Sequence, residues 1–256
     1  MRRSQLLLAL AVIYGCRTVS PTADAGPADD AGTEEDSGLT LPRDDLVLHF
    51  AFDESQETLV RDLSGHGNDG AINGQPAWVE GRVGSAALAF DGVDDYLEIA
   101  DSTSLRPSGA VTMTAWIYVY SFPEPDEYWG SIVGRQYEAD GDPFDESYIM
   151  LIGQDAELVC MMAVSAPGAI PFARWTHVAC LEGRTSGALY IDGERQVEDT
   201  AFPLQYDDNP VVIGAAENHS SSAKSEFFHG VIDDLRIYAR ALSDDEIRAL
   251  ADHHNR

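Results

Sequence analysis

The sequence predicts an all-β fold, an antiparallel sandwich or barrel that is closed by one short C-terminal helix. Short apolar runs recur along the chain, and most of them alternate apolar with polar residues, as in VTMTAWIYVY (111–120) and GVIDDLRIY (230–238). Turn sequences such as DGVDD (91–95) and EGRTSG (182–187) separate the runs. Regularly spaced short strands with intervening turns are typical of antiparallel sheets and not of β-α-β units.

The predicted helix begins after a capping box near the end of the chain. The hydroxyl of Ser243 can accept from the amide of Glu246, while the Glu246 carboxylate can accept from the amide of Ser243. Ile247, Leu250 and Ala251 then form an apolar stripe at helical spacing. The helix is therefore expected to pack against the sandwich.

The charge balance excludes one broad class of partner. The chain of 256 residues carries a formal net charge of -28. Nucleic-acid binding depends on clustered Lys and Arg, and the sequence contains no basic stripe. We expect no nucleic-acid partner.

The N-terminus has the pattern of an export signal. Arg2 and Arg3 precede the apolar run Leu6–Ile13, which is too short to span a bilayer. The run ends in Ile-Tyr-Gly-Cys, which resembles a bacterial lipobox with Cys16 as the lipidated residue. The alternative is a cysteine that lies by chance near an ordinary signal-peptidase site. Residues 1–15 are predicted to be a lipoprotein signal peptide.

Residues 16–43 are predicted to be a disordered acidic tether. The segment consists mainly of Ala, Pro, Gly, Ser and Thr with six acidic residues, and it has almost nothing to bury. Arg17 follows Cys16, so the Asp that retains some bacterial lipoproteins in the inner membrane is absent. We therefore expect an exported lipoprotein of the outer membrane or cell surface, held to the membrane only through its N-terminal lipid, with the folded domain over residues 44–256.

The other two cysteines favour a disulfide. Cys160 and Cys180 lie in two strand-like runs that are joined by a turn containing Pro and Gly. If that turn closes a hairpin, the strands are neighbours and a bridge between them is reasonable in an oxidising compartment. Two buried free thiols are the alternative.

The loop RDLSGHGNDGAING (61–74) is unusually rich in Gly, Asn and Asp. Its glycines permit positive φ, so backbone carbonyls can turn inward beside Asp and Asn oxygens and form a nest for a hard cation. In the alternative, Asp62, Asn68 and Asp69 cap their own backbone in Asx turns. On the loop alone, the Asx turns are the favoured interpretation.

Several motifs in order resemble the laminin-G-like domains of the concanavalin A-like lectin and glucanase superfamily. They are FDE (52–54), RDLSGHGNDG (61–70), FDGVDDYLEI (90–99), VTMTAWIY (111–118), RWTHVA (174–179), LYIDGE (189–194) and GVIDDLRIYARALSDDEI (230–247). The resemblance covers residues 46–251 and implies a jelly-roll β-sandwich. It also implies a structural calcium ion, with Asp53, Asn68 and Asp233 as the matching ligands. These ligand types suit calcium, which binds six to eight oxygens.

The acidic clusters show no glucanase pattern. They lie in turn sequences rich in Gly and Pro, and none reads as Glu-x-Asp-x-x-Glu on a strand. His219 and His229 have no nucleophile motif near them in sequence. We therefore expect no catalytic residues and no enzyme activity, with a glycosidase or lyase on the same fold as the alternative.

Aromatic residues point to a binding surface. Tyr120, Tyr128 and Trp129 lie in the richest aromatic stretch of the chain, beside acidic residues. Sugar rings stack on flat aromatic rings while carboxylates and amides bind their hydroxyls. The sequence thus predicts a noncatalytic, surface-tethered module that binds carbohydrate or an extracellular protein ligand. A purely structural protein-protein module is a further alternative.

Overall fold

The computed structural model describes residues 41–54, 58–123, 128–136, 146–161, 163–184, 186–200, 204–218 and 221–254. The predicted signal peptide, the lipidation site Cys16 and most of the tether lie outside these residues. The part of the chain from residue 39 onward is one compact unit. No helix within the described ranges has the length and apolarity that a membrane span requires.

Two antiparallel sheets form a β-sandwich, as the sequence predicted. In spatial order, sheet A contains β14 (Glu194–Thr200), β13 (Ser186–Ile191), β12 (Trp175–Gly183), β7 (Ala110–Val119), β18 (His229–Tyr238), β5 (Ala87–Asp91) and β4 (Ala77–Val79), with β1 (Leu46–Phe50) also paired to β18. Sheet B contains β11 (Ala163–Val164), β10 (Leu158–Cys160), β9 (Glu146–Gly153), β8 (Trp129–Gln136), β15 (Val211–Ile213), β6 (Tyr96–Ile99), β3 (Gly70–Asn73) and β2 (Leu59–Val60).

The main core lies between the two sheets. In β7, alternate residues such as Met113, Ile117 and Val119 point into this core and are fully buried. The period of two places the intervening residues, among them Trp116 and Tyr118, on the outer face of sheet A. That outer face carries the candidate site.

The small elements complete the sandwich. A separate hairpin joins β16 (Ala216–Asn218) to β17 (Ser221–Ser225), and one 3-10 turn spans Thr103–Leu105. Helix α1 (Asp244–Asp252) begins with the predicted capping box between Ser243 and Glu246. It packs Ile247 and Leu250 against residues of sheet A, so the helix covers part of that sheet's outer face.

The predicted disulfide forms, but its strands are not hairpin neighbours. Cys160 lies in β10 of sheet B and Cys180 in β12 of sheet A, with their Cα atoms 5.8 Å apart. The hairpin expectation was wrong because β12 pairs with β7 and β13, while the chain after Cys160 turns back to form β11. The bridge therefore links the two sheets through the core.

Candidate functional site

The outer face of sheet A is divided into a covered half and an open half. Both halves include aromatic residues of β7, because Trp116, Tyr118 and the adjoining Tyr120 follow one another at a spacing of two. Trp116 is 5% exposed, whereas Tyr120 is 40% exposed.

The covered half is built around Trp116. Its ring makes edge contacts with His177 (5.4 Å between centroids) and His254 (5.9 Å), and the guanidinium of Arg82 lies 4.9 Å from its centroid. The indole Nε1 donates to the carbonyl of His253 at 3.3 Å. The C-terminal residues and the loop that carries Arg82 thus close over this ring.

Titratable groups lie buried beneath the same cover. Burial lowers the pKa of His177 to about 3, so its imidazole is neutral in the fold. Asp234 accepts hydrogen bonds from His49 Nε2 at 2.7 Å and Arg236 Nη2 at 2.9 Å. Burial opposes ionisation of Asp234, but the hydrogen bonds from His253 and His49 together with the Arg236 charge hold its pKa well below the ordinary range. Asp234, His49 and Arg236 satisfy one another and give the covered half a structural role, whereas Nδ1 of the buried His177 has no hydrogen-bond partner among the described residues.

In the open half, four rings cross three strands in continuous contact. Trp175 of β12 contacts Tyr118 of β7 (5.7 Å), Tyr118 contacts Tyr120 (5.7 Å), and Tyr120 contacts His229 of β18 (5.6 Å). The sheet register places Tyr118 opposite Trp175 on one side and Val231 on the other. We call Trp175, Tyr118, Tyr120 and His229 the aromatic strip.

A cleft adjoins the strip at the end of the sandwich. It lies where β5, β7 and β9 end and where β8 and β18 begin, and its polar side chains are Asp91, Ser121 and His229. Ser121 Oγ and His229 Nδ1 share a hydrogen bond of 2.8 Å. Phe122 and Phe228 supply much of the apolar wall. The cleft therefore offers a few polar groups on an apolar surface next to aromatic rings in edge contact, which is the usual composition of a ligand site.

The Ser121–His229 contact was not foreseen, because the two residues are 108 positions apart. A strand-pairing prediction that placed the end of β7 beside the start of β18 could have found it. The Ser hydroxyl contacts Nδ1 of the ring. In a hydrolase triad, the histidine nitrogen opposite the Ser hydrogen-bonds a carboxylate. No such carboxylate contact to His229 occurs among the described residues. The pair can bind hydroxyl groups, and among the described residues no acid orients it.

The three predicted ligand-binding aromatics do not form one cluster. Tyr120 belongs to the aromatic strip, while Trp129 packs beside Ile149 and Leu151 on sheet B. Tyr128 is 50% exposed and has a left-handed backbone (φ 59°). Gly130, the residue after Trp129, lines the cleft from the side of sheet B.

Two of the predicted calcium ligands hold one loop. Asp233 Oδ2 accepts from the amides of Arg82 (2.7 Å) and Val83 (2.8 Å), and Asp53 Oδ1 accepts from Ser85 Oγ at 3.0 Å and the amide of Ala86 at 3.2 Å. The two carboxylates thus secure the ends of the segment 82–86. The same segment carries Arg82, which lies over Trp116.

The donor chemistry at this loop fits a hard cation. Asp233 is fully buried, and burial raises its pKa to about 7. A nearby cation would favour its ionised form, and carboxylate oxygens are ligands of the kind that calcium takes. Asp53 and Asp233 are therefore the residues that would hold the ion.

The nitrogens of Asn68, the third predicted ligand, donate hydrogen bonds within the domain. Its Nδ2 donates to the Val47 carbonyl at 2.7 Å and to Ser104 Oγ at 2.9 Å, and its amide donates to Asp62 Oδ2 at 3.0 Å. Asp62 also accepts from the amides of His49 and Ser64. The structure therefore places the Asn68 side chain with Val47 and Ser104, and the Gly-Asn loop forms the Asx-type turns that the sequence left open.

A second acidic group lies in the turn after β5. Oxygens of Asp91, Asp94 and Asp95 come within 4.8 Å of one another. Asp95 accepts from the amide of Gln75 at 2.6 Å, and Asp91 accepts from the amide of Val93 at 2.8 Å. Burial raises the pKa of Asp95. Backbone amides thus account for the conformation of this turn.

Comparison with known proteins agrees with this architecture. The family model of the concanavalin A-like lectin/glucanases superfamily, in its laminin-G form, matches residues 91–248, which is more than half of the chain. The protein therefore belongs to this family. No curated protein matches the chain in sequence.

Solved structures show the same fold at low sequence identity. A Trypanosoma rangeli sialidase mutant with trans-sialidase activity is 17% identical with a TM-score of 0.63, covering 82% of this chain and 33% of the sialidase. Domain 4 of AbnA, an extracellular arabinanase of Geobacillus stearothermophilus in complex with arabinotriose, is 22% identical with a TM-score of 0.59, covering 80% and 98%. The binding domain of Paraclostridial Mosquitocidal Protein 1 is 17% identical with a TM-score of 0.58, covering 82% and 52%. The chain thus spans about a third of the sialidase.

Proposed function

We propose that this protein is a noncatalytic, surface-tethered module that binds carbohydrate along the aromatic strip and in the adjoining cleft. The observation that carries the proposal is the contact of four rings, with Tyr120 exposed and the other three half-buried, beside Ser121 and Asp91. Apolar faces of sugar rings pack on such rings, and Ser, His and Asp side chains can bind the hydroxyls.

The comparison with an oligosaccharide complex supports this reading. The AbnA domain has nearly the same length as the matched region and was solved with arabinotriose. At 22% identity the likeness establishes the fold alone, so the class of ligand is our proposal.

The test uses the full chain with Cys16→Ser, which removes the acylation site and changes nothing in the domain. Affinity electrophoresis in gels that contain arabinan, galactan, xylan or hydroxyethylcellulose should show retardation by at least one polymer. Each retarding polymer is then incubated with the protein and assayed for new reducing ends and unsaturated products, which should be absent. Product formation would make the protein an enzyme, and no retardation by any polymer would favour a structural or protein-binding module.

We also propose that lipid on Cys16 anchors the module at the outer membrane or cell surface. The support is the sequence pattern alone, with Gly15 before Cys16 and an acidic tether after it. In a lipoprotein-competent bacterium, the wild-type chain should partition into detergent and Cys16→Ser should not. An unmodified mature N-terminus beyond Cys16, found by mass spectrometry, would end this part of the proposal.

Calcium is proposed as a structural ion at Asp53 and Asp233. When bound, it would supply positive charge to a buried carboxylate and neutralise the pair that secures segment 82–86. Asp53 and Asp233 would hold it. The role is structural, because these residues support the cover of Trp116 and do not line the cleft.

A further inference from the structure

The cleft beside the aromatic strip has an uneven charge. Asp91 lines it, and none of the described residues that line it is Lys or Arg. The whole sequence contains a single lysine, Lys224, whose Nζ lies 3.1 Å from Glu98. Among the described residues that line the cleft, a ligand therefore contacts a carboxylate and no Lys or Arg side chain.

The basic side chains of the described domain are mostly engaged with acidic partners. On sheet A and helix α1, Arg174 pairs with Asp192 and Arg195 with Asp244. Arg240 likewise pairs with Glu246 at 2.6 Å. With a net charge of -28, the chain has a large surplus of carboxylates over these pairs. The field at the cleft is thus negative from both the near and the distant groups.

The carboxylate of Asp91 is held in its ionised form. Its slight burial opposes ionisation, but hydrogen bonds from the amides of Val93 and Asp94 outweigh that effect and lower the pKa of Asp91. The same bonds, 2.8 Å and 3.2 Å to Oδ1, fix the carboxylate on the turn. The Asp91 carboxylate can therefore attract a positively charged ligand group without any rearrangement of the turn.

We propose that the cleft selects its carbohydrate by charge, favouring sugars that carry amino groups and rejecting sugar acids, with Asp91 as the selecting residue. This inference rests on the proposed carbohydrate-binding function. An ammonium about 4 Å from a carboxylate in water-like surroundings changes Kd by about five-fold, the equivalent of about 1 kcal/mol, and a carboxylate is disfavoured by a similar factor. Between aminated and carboxylated forms of one polymer, the affinity ratio should exceed about tenfold at low salt.

The experiment compares charge on a constant backbone. Arabinan, galactan, xylan and hydroxyethylcellulose are each prepared in neutral form and in two derivatives with equal, sparse substitution by primary amine or carboxylate. Dissociation constants are measured at pH 8 for the Cys16→Ser chain at ionic strengths of about 0.01 M and 1 M. The ratio of the affinities for the aminated and the carboxylated forms should be large at low salt. It should shrink at high salt, because the Debye length falls from about 30 Å to about 3 Å.

Two matched variants separate the cleft from the overall charge. Asp91→Asn keeps an acceptor oxygen for Val93 and Asp94 and removes one negative charge from the cleft. Asp245→Asn removes the same charge from helix α1, where Asp245 is 94% exposed. Because Asp91 supplies both the attraction and the repulsion, we expect Asp91→Asn to reduce the ratio by more than about tenfold and Asp245→Asn to change it little.

The possible results distinguish a failure of the charge selection from a failure of carbohydrate binding. A ratio near one at low salt, or an equal effect of the two variants, would overturn the charge selection by Asp91 and leave carbohydrate binding intact. No binding to any neutral polymer or derivative would remove the proposed function and this inference together.

Discussion

Trp116 lies in β7 and Tyr120 directly follows that strand on the same side of sheet A, yet their surroundings are opposite. Arg82, His177 and His254 enclose Trp116, whereas Tyr120 remains 40% exposed beside a cleft. An aromatic residue on a sheet face is thus structural where the loops and the C-terminal residues cover it. It is available to a ligand where they do not.

The largest expected effect comes from breaking the covered half. Trp116→Ala removes a nearly buried indole and leaves Arg82 and the two histidines without their partner, so we expect a loss of about 3–5 kcal/mol in the free energy of unfolding. Urea denaturation of the Cys16→Ser chain measures it. Tyr120→Ala is the paired variant and should cost less than about 1 kcal/mol. Equal losses would contradict the division into halves.

Loss of the disulfide should lower the free energy of unfolding by about 3 kcal/mol. Cys160 and Cys180 close a loop with a sequence separation of 20 and link the two sheets. Denaturation of Cys160→Ala/Cys180→Ala measures the loss. Reactive thiols at both positions in the unfolded, unreduced wild type would contradict the bridge.

Calcium should stabilise the cover through the loop that carries Arg82. At a hundred times its dissociation constant, the ion should add about 2.7 kcal/mol to the free energy of unfolding, and chelation should lower Tm. Asp53→Ala and Asp233→Ala should abolish this response. Asn68→Ala is the control: it loses hydrogen bonds to Val47 and Ser104, so it should lower Tm while the calcium response remains. Superimposable melting curves with calcium and with chelator would refute the ion.

His177 makes the covered half sensitive to acid. Its pKa falls from 6.5 to about 3 on folding because of burial, so the unfolded chain binds the proton first as the pH drops. The stability contribution is complete above pH 6.5 and is lost progressively toward pH 3, by up to about 1.4 kcal/mol per pH unit.

Melting curves at several pH values test this dependence. In His177→Phe, Tm should depend less on pH between pH 6 and pH 4 than it does in the wild type. His66→Gln changes an exposed imidazole in the Gly-Asn loop and should leave the dependence unchanged. An unaltered slope in His177→Phe would assign the acid sensitivity to other groups.

The sequence predicted much of this fold because its signals are local. The alternation in β7 and β18, and the Ser243–Glu246 capping box, each depend on residues close in sequence. The edge strands β2 and β4 do not stand out in the sequence, since strands of two and three residues carry too little alternation to detect. The charged edge strand β14 does not stand out either, because ERQVEDT has one apolar residue, Val197.

The site was harder to predict because it depends on which strands lie side by side. The sequence identified Tyr120, but its contacts with His229 and, through Tyr118, with Trp175 follow from the pairing of β7 with β18 and β12. The prediction that grouped Tyr120 with Trp129 relied on sequence proximity, whereas the chain crosses from sheet A to sheet B between them. Spatial neighbours, not sequence neighbours, define the surface.

The most direct test of the account measures glycan binding by Tyr120→Ala. The Kd for whichever neutral polymer retards the Cys16→Ser chain should rise by about tenfold or more, because the exposed ring of the strip is lost, while Tm changes little. Tyr96→Ala is the matched control, since Tyr96 lies in β6 of sheet B and contacts Lys224, and it should bind as the parent does. Wild-type affinity in Tyr120→Ala, or an equal loss in Tyr96→Ala, would contradict the claim that the open half of sheet A binds carbohydrate.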